Sequence, residues 1–115
     1  MYNTEELLEK NEINGDELKH LLSERNKEKI KFLLIDVREA YEYNEKKIVG
    51  TDYLIPLSDF FNKIKQLEDY KSNNIVVMCK LGGRSAQAQT QLKMMEFNNI
   101  INLSGGITYY NGKVE

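Results

Sequence analysis

Cys79 is the only cysteine of the 115-residue chain, and its neighbours make it a candidate nucleophile. It closes the run Ile75-Val76-Val77-Met78 and opens the run Lys80-Leu81-Gly82-Gly83-Arg84-Ser85. A short unbroken apolar run with β-branched residues reads as a strand buried on both faces of a parallel sheet. Cys79 then falls at the carboxyl end of that strand, where open α/β sheets collect their ligands. Gly82 and Gly83 open torsions closed to other residues, and Ser85 reads as the N-cap of a helix over residues 86–95. Such a loop aims several N–H groups inward beside a helix N-terminus, and Lys80 and Arg84 add positive charge; both effects stabilise an anion. Thiol pKa values in such surroundings fall from about 8.5 to roughly 3.5–7.5, so we expect Cys79 to be largely thiolate at neutral pH. The competing reading is an inert small hydrophobe in a core strand. A purely structural strand end has no need of two glycines and two basic residues in the next five positions, which favours chemistry.

The elements that must position this loop alternate between helical and extended patterns, the signature of βαβ units around a parallel sheet. Leu18, Leu21 and Leu22 at helical spacing predict a first helix over residues 16–23, and residues 32–35 read as a central strand. Residues 39–45 read as a short helix. Residues 52–55 form a strand stopped by Pro56, and Ser58 is placed to cap a helix carrying Phe60, Phe61, Ile64 and Leu67. A last strand covers residues 100–103, followed by a Gly105-Gly106 turn and a helical turn over 107–110 whose tyrosines pack on the sheet. The expected architecture is a mostly parallel sheet of four to five strands with helices on both faces, in one domain over residues 1–115. Residues 1–11 form a short N-terminal helix or a frayed extension.

With these elements in place, the chain resembles the rhodanese-like domain family. The loop from Cys79 to Ser85 looks like the family's active-site signature: cysteine, a basic residue, glycine, then arginine or threonine and often serine. Leu33-Leu34-Ile35-Asp36-Val37-Arg38-Glu39 with Tyr41-Glu42-Tyr43 resembles its first block. Ile48-Val49-Gly50-Thr51 with Ile55-Pro56-Leu57 resembles the second, and Leu103-Ser104-Gly105-Gly106-Ile107 the last. The departures lie outside the cysteine loop. Lys46-Lys47 stand where the family usually has Gly-His, Thr51 replaces an alanine, and Tyr109 or Tyr110 stands for a tryptophan. Glu42 stands where the mammalian thiosulfate enzyme carries a basic substrate-binding residue.

The resemblance implies a single-domain sulfurtransferase that carries a sulfane sulfur from thiosulfate, a polysulfide or a persulfidated donor to a thiophilic acceptor, through a persulfide on Cys79. No cofactor is required. In this reading Cys79 reacts, and the loop residues Lys80, Leu81, Gly82, Gly83, Arg84 and Ser85 bind the persulfide and substrate. Lys80 orients an anion at the loop mouth, and Arg84 either binds that anion or ties the loop to the sheet. Asp36 and Arg38 brace the loop by hydrogen bonds. The partners are a small donor and a thiol or cyanide acceptor, with a sulfur-carrier protein as a further candidate.

Composition closes off other classes. With 16 basic and 18 acidic residues the net charge is −2, which offers no footprint for nucleic acid or an anionic membrane. Mixed-sign runs such as Lys27-Glu28-Lys29 and paired acids such as Glu5-Glu6 and Glu68-Asp69 read as solvated faces. No stretch approaches the ~18 apolar residues of a membrane helix. One free thiol fits a reducing compartment, so cytoplasmic residence is the expectation. A Cys–His hydrolase would need a base, and the one histidine, His20, falls on the polar side of the first helix. One cysteine and one histidine also give no metal-ligand set. Two rivals remain. A phosphatase or arsenate reductase of related fold has five residues between cysteine and arginine, whereas here four intervene, Lys80 to Gly83. A non-catalytic rhodanese-like binding module usually lacks the cysteine.

Overall fold

The computed structural model describes residues 2–115. Five parallel strands form one sheet in the order β1-β5-β4-β2-β3. They are β1 (Glu12–Ile13), β2 (Leu33–Asp36), β3 (Tyr53–Leu54), β4 (Asn74–Met78) and β5 (Asn99–Leu103). The helices are α1 (Thr4–Leu7), α2 (Gly15–Asn26), α3 (Ala40–Glu45), α4 (Phe60–Lys63) and α5 (Gly83–Met94).

Alternation along the strands divides the core between the two faces of the sheet. Leu34, Val76, Met78, Ile101 and Leu103 turn to one face and pack with Leu7 of α1 and Leu18, Leu21 and Leu22 of α2. Ile35, Ile75, Val77, Cys79 and Ile100 turn to the other and pack with Phe60, Ile64, Leu67 and, from α5, Ala88 and Leu92. A sheet covered on both faces keeps its strands apolar throughout, which is why the β4 run is legible in the sequence. The chain leaves β2 toward β3 on one side and leaves β4 toward β5 on the other. Adjacent strands that depart in opposite directions leave a crevice at their carboxyl ends, and Asp36 and Met78, paired in register, stand on its two sides.

Several expectations shift in detail. α2 runs longer than residues 16–23: a reciprocal capping box of Asn14 and Glu17 sets its start at Gly15, and it continues three residues further, to Asn26. Of the two forms expected for residues 1–11, the short helix is present as α1, and just beyond it the sequence reading missed β1, whose two residues pair with Asn102 and Leu103 at the sheet edge. The helix expected after Pro56 is broken into a 3₁₀ turn at Leu57–Asp59, α4, and a 3₁₀ stretch at Ile64–Tyr70. Ser58 caps none of them; its hydroxyl donates to Glu39 Oε1 at 2.7 Å. His20 is half-buried rather than solvated, with Nε2 2.8 Å from Thr4 Oγ1 and its ring beside Tyr2, so it joins α1 to α2. In the closing turn Tyr110 packs on the core, whereas Tyr109 is exposed. Among the described residues no helix is long and apolar enough to cross a membrane.

Candidate active site

The sulfur of Cys79 is buried at the carboxyl end of β4 and faces a ring of donors. The Gly82 N–H donates to Sγ at 3.0 Å, the Ser85 N–H at 3.4 Å and the Ser85 hydroxyl at 3.3 Å. Burial of the sulfur opposes ionisation. The hydrogen bonds from the Ser85 hydroxyl and from the Ser85, Gly82 and Leu81 amides outweigh it, and the thiol titrates below the ordinary cysteine range.

This geometry depends on where α5 begins. The helix is capped by Gly82, three residues earlier than the expected Ser85, and Gly83 is already helical. Ser85 therefore lies in the first turn, where its hydroxyl reaches both Sγ and the Gly82 carbonyl, the latter at 3.2 Å. Only Gly82 of the pair needs glycine's freedom: its φ is +114°, in the left-handed region, while a Cβ on Gly83 would meet nothing within 4 Å. From behind, the Gly105-Gly106 turn locks the loop. Ile107 N–H donates to the Cys79 carbonyl at 3.0 Å and Thr108 N–H to the Lys80 carbonyl at 3.1 Å. A Cβ on Gly106 would collide with those same two carbonyls.

The charged residues are arranged differently from the expectation. Arg84 meets Glu42 of α3 with both terminal guanidinium nitrogens, at 2.7 and 2.9 Å, and so ties the loop to a helix rather than to the sheet. Its hydrogen bonds hold the Glu42 carboxyl down to about 2, and Glu42 raises the Arg84 pKa in return. Asp36 and Arg38 form a buried pair at 2.8 Å. Neither is hydrogen-bonded to the cysteine loop. Arg38 reaches the carbonyls of Glu42 at 3.4 Å and Lys46 at 2.7 Å, so the pair braces α3 and acts on the loop only through Glu42. Lys80 and Leu81 are exposed. A cleft of about 290 Å³ beside the loop is lined by Lys80, Thr108, Arg38, Tyr41, Glu42 and Lys46.

The structure thus brings Cys79, Gly82, Ser85 and the Leu81 amide together, with Arg84 at the rim, and keeps Asp36 and Arg38 out of the ring of donors, Arg38 lining the cleft beside the loop. Two framework residues carried signals that the sequence reading did not use. Glu42 stands three residues after Glu39, the spacing of a capping box, which it forms. Asn102 interrupts the apolar run of β5 and donates to the Gly82 carbonyl at 3.2 Å.

Fold and loop define a parallel α/β domain with one thiol set in a ring of hydrogen-bond donors at a strand end. Residues 15–113 match the family model described as a rhodanese-like domain, and the chain belongs to that family. It is 32% identical over 82 residues to a putative sulfur carrier protein, YrkF, of Bacillus subtilis, covering 71% of this chain and 43% of that protein. It is 33% identical over 84 residues to a tRNA uridine(34) hydroxylase of Buchnera aphidicola, covering 68% of this chain and 26% of that protein. The chain therefore spans less than half the length of these curated relatives. Among solved structures, a rhodanese-related protein of Thermoplasma volcanium superposes with a TM-score of 0.75 at 27% identity, covering 92% of this chain and 98% of that one.

Proposed function

We propose that the chain is a sulfurtransferase that carries a sulfane sulfur as a persulfide on Cys79. The supporting observation is the convergence of the Gly82 and Ser85 amides and the Ser85 hydroxyl on Sγ, all within 3.4 Å. Donors so placed favour a thiolate before reaction and a persulfide anion after it. In the first step the thiolate attacks the outer sulfur of the donor. With thiosulfate, the new Sγ–S bond forms as the donor's S–S bond breaks, sulfite leaves with the electron pair, and the persulfide keeps one negative charge. In the second step a nucleophilic acceptor attacks the terminal sulfur. Cyanide leaves as thiocyanate, a thiolate leaves as its own persulfide, and Cys79 returns as thiolate. Because a relative bears the name of a sulfur carrier, a protein thiol joins small donors and acceptors as a candidate exchange partner. Lys80, exposed beside the cleft, supplies a mobile positive charge for anionic reactants.

Incubation with thiosulfate and cyanide tests the reading directly. Thiocyanate should form, and Cys79→Ser should lower its rate by about a thousandfold or more, as loss of a covalent nucleophile does. Mass spectrometry after donor treatment should find one added sulfur on Cys79. Turnover that survives in the variant, or a protein mass unchanged by every sulfane donor tried, would exclude the mechanism and favour a binding module.

A further inference from the structure

Asn102 occupies a position in β5 where the alternation of the sheet asks for an apolar side chain. It shares a face with Ile100, pairs in register with Val77, and is 4% exposed. Its Nδ2 donates to the Gly82 carbonyl at 3.2 Å, while its Oδ1, buried, has no partner among the described residues. A buried amide with an unpaired oxygen lowers folding stability. The carbonyl it serves already accepts from Ala86 N–H at 3.0 Å, and the Ser85 hydroxyl, whose one proton is shared between this carbonyl and Sγ, lies 3.2 Å away. Satisfying that carbonyl therefore does not explain the asparagine.

Direction does. The other two donors belong to the first turn of α5 and move with it. Asn102 reaches the Gly82 carbonyl from the sheet, and the N–H of that glycine, one peptide earlier, makes the shortest contact to Sγ, at 3.0 Å. The Gly82 backbone is held in the left-handed region, φ +114°, which a free loop would leave readily.

We propose that Asn102 is a positioning residue for Cys79: by anchoring the Gly82 carbonyl to the sheet it fixes the torsions of Gly82, and with them the direction of the Gly82 N–H toward the sulfur, and it lowers folding stability in doing so. The proposal rests on Cys79 acting as a thiolate, the basis of the function proposed above, and adds a residue on which that reactivity depends. Its test need not involve sulfur transfer. The pH dependence of Cys79 alkylation by iodoacetamide should move upward, toward an ordinary thiol, by about half a pH unit or more in Asn102→Leu. The urea midpoint of that variant should hold or rise, because an apolar side chain of similar size removes the unpaired oxygen. Asn102→Asp, which turns an acceptor toward the carbonyl, should move the inflection at least as far. An inflection unchanged in both variants, or a marked fall in the Asn102→Leu midpoint, would overturn the proposal. Failure of the wild type to take up sulfur would instead count against the sulfurtransferase reading, and the alkylation profile would still decide the role of Asn102.

Discussion

Two strand-to-helix junctions stand side by side at the carboxyl edge of the sheet and solve the same problem in opposite ways. At the end of β2, Asp36 and Arg38 satisfy one another. The carboxylate accepts from the Arg38 N–H at 2.9 Å and from its guanidinium, whose remaining donors close on the carbonyls of Glu42 and Lys46. At the end of β4 the donors are backbone amides and one hydroxyl, and they face a sulfur that carries no permanent countercharge. The first junction is closed, with its charges paired inside the fold. The second turns its donors toward an atom that can ionise and accept another sulfur. The position at a strand end is common to both. What separates a brace from a candidate reactive centre is whether the donors are already answered by a fixed partner.

The largest test of this contrast is to open the closed junction. Asp36→Ala leaves a buried guanidinium unpaired and should destabilise the fold by about 3–5 kcal/mol in urea unfolding, through loss of the α3 brace. A loss below about 1 kcal/mol would mean that water reaches Arg38 and the junction is not closed.

Next in size is the other junction. Gly82→Ala has room for its methyl group but must hold φ at +114°, so it should cost about 1–2 kcal/mol and turn the N–H away from Sγ. Cys79 alkylation would then inflect at higher pH than in the wild type. The sign follows from the depressed thiol: less donation means less thiolate at a given pH. The same variant at Gly83, whose backbone is ordinary helix, should leave the inflection in place.

The smallest effect concerns the bridge between the junctions. Glu42→Gln keeps an acceptor for the Glu39 N–H but removes the charge facing Arg84. At pH 7 it should cost about 1 kcal/mol or less, since Arg84 is partly exposed. A carboxyl held down to about 2 contributes stability that is fully present above the unfolded value of about 4.3 and is lost as pH falls through that range. The wild type and variant should therefore converge in stability on acidification. Curves that stay parallel from pH 7 to pH 2 would show that the ion pair does not link the junctions.

Where the sequence was legible, the physics was local. The unbroken run before Cys79 announces a doubly covered strand, Leu18, Leu21 and Leu22 announce the face of α2, and Pro56 marks the end of a strand. Where it was not, the deciding partner was remote. Two residues at Glu12–Ile13 form a strand only because β5 offers an open edge. Ser58 looks like a cap until Glu39, 19 residues earlier in the chain, takes its hydroxyl. Ser85 was misread for a similar reason: left-handed Gly82 starts the helix earlier and sends the serine hydroxyl to the sulfur. Arg84 shows the limit most clearly, since its partner Glu42 lies 42 residues away in sequence.

A parallel α/β architecture, and one cysteine at a strand end before glycines and cations, follow from the order of residues alone, because apolar periodicity and backbone freedom act over a few neighbouring positions. Which amides face the sulfur, that Arg84 is held by Glu42, and that Asp36 and Arg38 bind each other rather than the loop emerge in the folded chain. Hydrogen bonds need donor and acceptor placed within a few tenths of an ångström and aligned within roughly 30°, and that placement is set by elements far apart in the chain.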